Sequence, residues 1–326
     1  MNTIDAAPIF DLGQEQFVAR ALEIFRFQYE QNPLYRSYTD ALHIDPFKVE
    51  DLTAIPYLPL EFFKRVPVKT TDFEPMAVFE SSGTTGMIAS RHFIKDLSLY
   101  QSSFLKGFER FYGSPEDWCI LGLLPSYLER SHSSLVLMVD ELIKRSRHPG
   151  SGFYLNEYEK LYQTILGREK KGEKTLLIGV SFALLDFAEQ FPIPLQHTVV
   201  METGGMKGRR KEIIREELHG FLQKQLGLSS IHSEYGMTEL LSQAYSKGKG
   251  LFEPVPWMKI MVRNEDDPLD IRPAGSGIIN LIDLANLYSC SFLATADLGT
   301  VYTDGKFEVS GRLDNSDLRG CNLLTY

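Results

Sequence analysis

The chain has little cysteine: three in 326 residues, Cys119, Cys290 and Cys321. They are far apart, odd in number and show no C-x-x-C spacing, which argues against both a disulfide framework and a zinc site. Long apolar runs are missing too. No stretch approaches the roughly 20 apolar residues of a membrane span, and the opening MNTIDAAPIFDLGQEQ carries acids and no apolar run of signal-peptide length. A cytoplasmic protein without a membrane span is expected. Nor is there an excess of positive charge. With 34 Lys and Arg against 43 Asp and Glu the net charge is −9, whereas a general nucleic-acid surface needs a basic face to displace counterions. Low-complexity tracts and blocks of like charge are also absent. What remains is an ordinary globular composition, 43% hydrophobic and 12% aromatic. It suits one large domain with two or three subdomains, or two domains.

Residues 1–71 read as a mostly helical lid or packing layer: Phe17, Ala21, Leu22 and Phe25 share a helical face, and Pro56, Pro59 and Pro67 break the second half of the segment. Apolar alternation from Met76 and again over 91–94 predicts a hairpin around Ser81 to Gly86. A helix over 98–112, a buried strand over 118–124 and a helix through Leu142 come next. The middle of the chain repeats a strand-then-helix unit, with strands at 175–180, 197–201 and 230–232 and helices at 182–189 and 211–226. The last of these helices has Ile214, Leu218, Phe221 and Leu222 on one face. This pattern predicts a parallel sheet covered by helices over 72–250. From Leu251 to Asp314, short strands at 277–282, 300–302 and 307–309 predict a small β-rich subdomain.

Four polar loops carry chemistry. Ser81, Ser82, Gly83, Thr84, Thr85 and Gly86 come after a strand, and glycines let backbone N–H groups point inward while hydroxyls add donors without bulk. It is a phosphate-cradle candidate, with a surface turn as the bland alternative. It is no Walker A loop, because Met87 stands where the Lys would be. "EYGMTE" brings the aromatic face of Tyr235, Gly236 for close approach, the hydroxyl of Thr238 and a carboxylate, Glu239, suited to Mg²⁺. The bland alternative makes Thr238 a helix cap. "TADLG" offers Asp297 to ribose hydroxyls or to a turn. "GRLDNSDLRGC" contains Arg312, Asp314 and Cys321.

The succession S-S-G-T-T-G, Y-G-x-T-E, T-x-D-L-G and G-R-x-D resembles that of the adenylate-forming superfamily of acyl-CoA synthetases, peptide-synthetase adenylation domains and luciferases. More closely, "FESSGTTG" with "RHF", "LPSYLERSHSSL", "SEYGMTELLSQAY" and "GRLDNSDLRGCNLL" is similar to the acyl-protein synthetase (LuxE-type) family, over residues 55–326. The resemblance implies the large N-terminal domain of an adenylate-forming enzyme at 1–314, with an α/β body of parallel and mixed sheets. It implies activation of a carboxylic acid, a fatty acid by family, with ATP and Mg²⁺. Residues 81–86 would hold the β- and γ-phosphates, Gly204 and Gly205 would lie along the adenine with Tyr235 stacked on it, and Thr238 would touch the α-phosphate. Glu239 would bind Mg²⁺, and Asp297 and Arg312 the ribose. His132 would sit by the α-phosphate or the carboxylate, with a structural histidine as the alternative. Cys321, in a tail at 315–326, would accept the acyl group before an acyl-accepting reductase or carrier protein takes it.

Two departures from the family pattern stand out. The basic residue usual after the phosphate loop is missing, so Arg91 or Lys95 would substitute. Twelve residues lie beyond Asp314, so the usual small C-terminal domain and its lysine are expected to be absent. Two other functions compete: a carboxylate–CoA ligase similar to phenylacetate-CoA ligases, and a non-catalytic nucleotide- or acyl-binding protein.

Overall fold

The computed structural model describes residues 4–81, 88–124, 132–204 and 213–313. Helix α1 (Gln14–Gln31) starts where the Gly13 N–H donates to Gln16 Oε1, and its buried Phe17, Ala21, Ile24 and Phe25 recur at helical spacing. Asn32 then caps α2 (Pro33–Ala41) by accepting from the Tyr35 N–H, and Pro33 takes the first helical position, where its missing N–H costs nothing. Strand β1 (Leu58–Pro59) and helix α3 (Phe62–Arg65), in the proline-broken stretch, are short. Buried polar bonds fasten these helices to the rest of the molecule. Gln28 Nε2 donates to the Asn286 and Leu287 carbonyls, both at 3.0 Å, and Gln28 Oε1 accepts from the Ser291 N–H at 2.9 Å. The same segment also contributes β1, which pairs with a strand of the second sheet.

Strands β2 (Ala77–Glu80) and β3 (Arg91–Ile94) form the expected antiparallel hairpin, with Glu80 opposite Arg91. Helix α4 (Leu97–Tyr112) opens at Asp96, which accepts from the Ser98 N–H, and closes at Gly113, whose φ of 80° favours glycine. Next come β4 (Cys119–Leu123), α5 (Ser134–Ser146), β5 (Gly152–Phe153), α6 (Tyr158–Lys171) and β6 (Thr175–Gly179). They lead into α7 (Ser181–Gln190), β7 (Thr198–Thr203), α8 (Arg215–Leu226), β8 (His232–Tyr235), β9 (Ala244–Ser246) and β10 (Glu253–Pro254). These strands make a seven-stranded sheet ordered β10-β9-β8-β7-β6-β4-β5, parallel from β5 to β8 and antiparallel beyond. Every residue of β4 and β6 is buried, as a parallel sheet covered on both faces requires.

The second sheet comprises β11 (Met258–Arg263), β12 (Ile271–Arg272), β13 (Gly275–Asp283), β14 (Phe292–Val301) and β15 (Phe307–Arg312), with β1 added from the N-terminal layer. One edge of β14 serves two partners in turn: β1 beside Leu293 and Ala294, then β15 from Asp297 to Val301.

Several boundaries differ from those read in the sequence. Helix α8 starts at Arg215, which leaves Ile214 exposed ahead of it instead of on the buried face. The short strand expected at 230–232 lies at 232–235, because Ser233 and Glu234 find buried partners and stay in the ladder. Thr238 caps no helix, since residues 236–243 return the chain into antiparallel β9.

Candidate active site

The parallel strands deliver their C-terminal ends to one edge of the larger sheet, and the second sheet closes against it there. Tyr235, the last residue of β8, packs its ring against Phe252 and Phe307, with centroids 5.9 and 5.3 Å apart. Its hydroxyl donates to Asp297 Oδ2 at 2.8 Å. Burial, then the Asp297 charge, hold the phenol well above its usual range, so it remains a neutral donor. Asp297 faces Arg312 across the β14–β15 ladder, Oδ1 lying 3.9 Å from Nε, and the Arg312 side chain is 65% exposed. Tyr235, Asp297 and Arg312, 77 residues apart at the extremes (312 − 235), are therefore one cluster.

The turn after Tyr235 is held by its backbone. The Thr238 carbonyl accepts from His92 Nδ1 at 2.9 Å and the Glu239 carbonyl from Asn286 Nδ2 at 2.7 Å. Asp283 accepts from the Leu241 and Ser242 N–H groups at 2.8 and 2.9 Å and from the Ser242 hydroxyl at 2.5 Å. Burial still pushes Asp283 up to about 6. The Thr238 hydroxyl bonds no other described residue. Glu239 is 7% exposed and accepts from the Ser90 hydroxyl, and burial raises its pKa.

Two further acids lie behind the turn, and the loop motifs gave them no role. Burial would push Glu202 up, but His219, Arg215 and Ser233 hold it below the usual carboxylate range. Glu234 has weaker help: burial pushes it up to about 7 although the Thr203 hydroxyl donates to it at 2.5 Å. A Cβ on Gly236 would meet Glu234 Oε1, so a larger residue there would have to push that carboxylate aside. The raised acid can be tested by pH. A carboxyl whose folded pKa is raised stabilises the fold fully below about 4.5 and loses that contribution as pH rises through about 7. Glu234→Gln should therefore gain stability relative to wild type between pH 5 and pH 8, on the order of 2–3 kcal/mol. Buried His92 and half-buried His232, both depressed to about 4, act with the opposite sign, so the variant-minus-wild-type difference in denaturation midpoint is the quantity to measure. A difference independent of pH would show that Glu234 ionises freely in the fold.

The other candidates are more dispersed. Ser81 closes the hairpin base, its N–H donating to the Ser90 carbonyl at 3.1 Å and its Oγ accepting from the Ser90 N–H at 2.8 Å. Gly204 ends β7 with φ 57° and nothing near its Cβ position. The His132 carbonyl accepts from the Glu80 N–H at 2.9 Å; its side chain is exposed and bonds no described residue. Lys95 is engaged elsewhere, donating to Thr71 Oγ1 at 3.1 Å and lying 4.2 Å from the Tyr288 ring centroid. Arg91 is exposed, with its guanidinium 5.7 Å from the Phe93 ring centroid. Ser82, Gly83, Thr84, Thr85, Gly86, Gly205 and Cys321 lie outside the described residues. Cys119 and Cys290 are buried, and burial raises both thiols, Cys290 to about 12. Among the described residues no group of three or more His, Cys, Asp or Glu could hold a metal, and no helix is long and apolar enough to cross a membrane. A cleft of about 700 Å³ beyond the other end of β8, rimmed by Arg110, Lys247, Lys249 and Lys306, includes none of the candidates.

No family model matches this sequence, and no curated protein matches it. Solved structures do resemble it. The amide bond synthetase McbA from Marinactinospora thermotolerans is 17% identical with a TM-score of 0.51, over 77% of this chain and 52% of that one. The luciferase-like enzyme of the nonluminescent mealworm Zophobas morio is 18% identical with a TM-score of 0.50, over 77% and 61%. O-succinylbenzoate coenzyme A synthetase from Bacillus subtilis, in complex with ATP and magnesium ion, is 16% identical with a TM-score of 0.51, over 72% and 49%. The chain spans about half the length of the structures it resembles. The α/β fold of this chain is therefore similar to the fold of about half of each of these enzymes.

Proposed function

We propose that this chain is an ATP-dependent ligase of the acyl-protein synthetase type, which converts a carboxylic acid, a fatty acid by motif resemblance, to its acyl-adenylate. It then passes the acyl group to Cys321 and on to a reductase or carrier protein. One observation carries the reading: Tyr235 is bonded to Asp297, and Asp297 is paired with Arg312, beside a turn whose backbone is pinned and whose Thr238 hydroxyl has no described partner. Open α/β sheets bind ligands beyond the carboxyl ends of their strands, where this cluster lies.

In this reading Gly204, Gly205 and Tyr235 line the adenine, and Asp297 and Arg312 the ribose. Residues 81–86 take the β- and γ-phosphates, Thr238 the α-phosphate, and His132 the neighbourhood of the acid. A carboxylate oxygen attacks the α-phosphorus, and the bond from that phosphorus to the oxygen bridging to the β-phosphate breaks, releasing pyrophosphate with the electron pair. The Cys321 thiolate then attacks the acyl carbon and AMP leaves. Mg²⁺, when bound, supplies charge neutralisation. Glu239 would hold it, and a single carboxylate beside substrate phosphates suits this ion, which fills its remaining positions with water. The protein contributes positioning and fixed dipoles, which suits an acidic chain.

The test is exchange of labelled pyrophosphate into ATP with a panel of fatty and aromatic acids, then intact-protein mass. Acid-dependent exchange with a covalent acyl mass is expected. Exchange that yields soluble acyl-CoA, with no protein-bound acyl group, would replace the proposal with a CoA ligase. Absence of exchange with every acid would leave a binding protein.

A further inference from the structure

His92, on β3, is 1% exposed, and both of its ring nitrogens are engaged by distant segments. Nδ1 lies 2.9 Å from the Thr238 carbonyl oxygen and Nε2 lies 2.9 Å from Ser289 Oγ, while the ring sits edge-on to Phe63 at 5.6 Å. A carbonyl can only accept, so Nδ1 carries the proton. Burial depresses the ring to about 4, which keeps it neutral, so Nε2 accepts and the Ser289 hydroxyl donates. Ser289 is itself fixed, its carbonyl accepting from Thr70 Oγ1 at 2.5 Å and Asn32 Nδ2 at 3.0 Å. A directed chain of bonds thus runs from the N-terminal layer through Ser289 and His92 to Thr238. Asn286 and Asp283 hold the backbone of the next residues, but among the described residues His92 alone donates to the Thr238 carbonyl.

We infer that His92 is a positioning residue that, through the Thr238 carbonyl, sets the direction in which the Thr238 and Glu239 side chains point. Its importance for turnover rests on the adenylation reading; its hold on the turn does not. A plain packing role would leave the ring's polarity without consequence. The two accounts separate by substitution, because Asn places an N–H near the Nδ1 position whereas Gln reaches towards Nε2.

The experiment compares wild type, His92→Leu, His92→Asn and His92→Gln by hydrogen exchange of the 238–242 peptide in the full chain and by pyrophosphate exchange. His92→Leu should lose about tenfold or more of the protection of the turn, and Asn should restore it better than Gln. Misplacement of groups around the phosphate should lower kcat by about 10- to 100-fold with KM for ATP little changed, Asn again recovering most of the loss. Unchanged protection in His92→Leu, or equal rescue by Gln and Asn, overturns the inference. If His92→Leu does not fold, the Asn and Gln variants still decide it. Wild type without pyrophosphate exchange would remove the adenylation reading while the protection data still judge the positioning role.

Discussion

Glu239→Gln is expected to slow Mg²⁺-dependent exchange of pyrophosphate into ATP by about 100- to 1,000-fold, the range for losing one preorganised charge-stabilising group, roughly 2.7–4 kcal/mol. The fold should not suffer. Burial raises the pKa of Glu239, so the ionised side chain is disfavoured where it stands, and the amide keeps the same shape and an oxygen to accept from Ser90. A carboxylate in that position is better explained by a cation that is bound during turnover than by a contribution to stability. The variant should thus melt at or above the wild-type temperature while its rate rises little with added Mg²⁺. Equal Mg²⁺ dependence in the two proteins would make Glu239 a structural acid.

The fold was legible in the sequence where a local pattern carries the physics. Continuous apolar runs flanked by polar loops marked β4 and β6, because strands buried on both faces have no polar side to show. It was hidden where a tertiary partner overrides local character. Helix α6 buries only Leu161 and Ile165 and otherwise looks like polar linker. Strand β8 looked finished at His232, yet Ser233 and Glu234 stay in it because His219 and Thr203 satisfy them. The resemblance assigned Tyr235, Asp297 and Arg312 to one nucleotide, but nothing in the residue pattern itself announces the bonds among them. The Tyr235–Asp297 bond crosses 62 positions between two sheets, and no periodicity encodes it. Lys95, a plausible substitute for the missing cation on spacing alone, is turned to Thr71 and Tyr288 instead.

The same tertiary logic gives the N-terminal layer a purpose beyond covering the core. Gln28 and Asn32 bond into residues 286–291, and from that segment Asn286 and Ser289 reach the Thr238–Glu239 turn, Ser289 by way of His92. Bonds from α1 and from Asn32 at its end thus reach the backbone of that turn through residues 286–291. Such support matters most if catalysis is chiefly placement of phosphate and acid, where errors of about 1 Å are expensive.

Cys321→Ser is expected to abolish the second half of the proposed reaction and leave the first intact. The motif resemblance nominates Cys321, and the other two thiols are poor rivals: Cys119 and Cys290 are buried with raised pKa values, and only a thiolate attacks. Sulfur in an ordinary setting ionises near about 8.5, so acyl transfer in wild type should quicken as pH rises towards that value, whereas adenylation should not share that dependence. With wild type, acid and ATP, the intact mass should gain one acyl group that hydroxylamine removes. In Cys321→Ser the pyrophosphate exchange rate should stay within about twofold of wild type, since the thiol takes no part in attack on phosphorus, while the labile mass disappears altogether. A labile acyl group that persists in the variant would move the acceptor to another residue. Loss of exchange together with the label would mean that Cys321 supports the adenylation site itself, and the two-step scheme would have to be redrawn with one combined site.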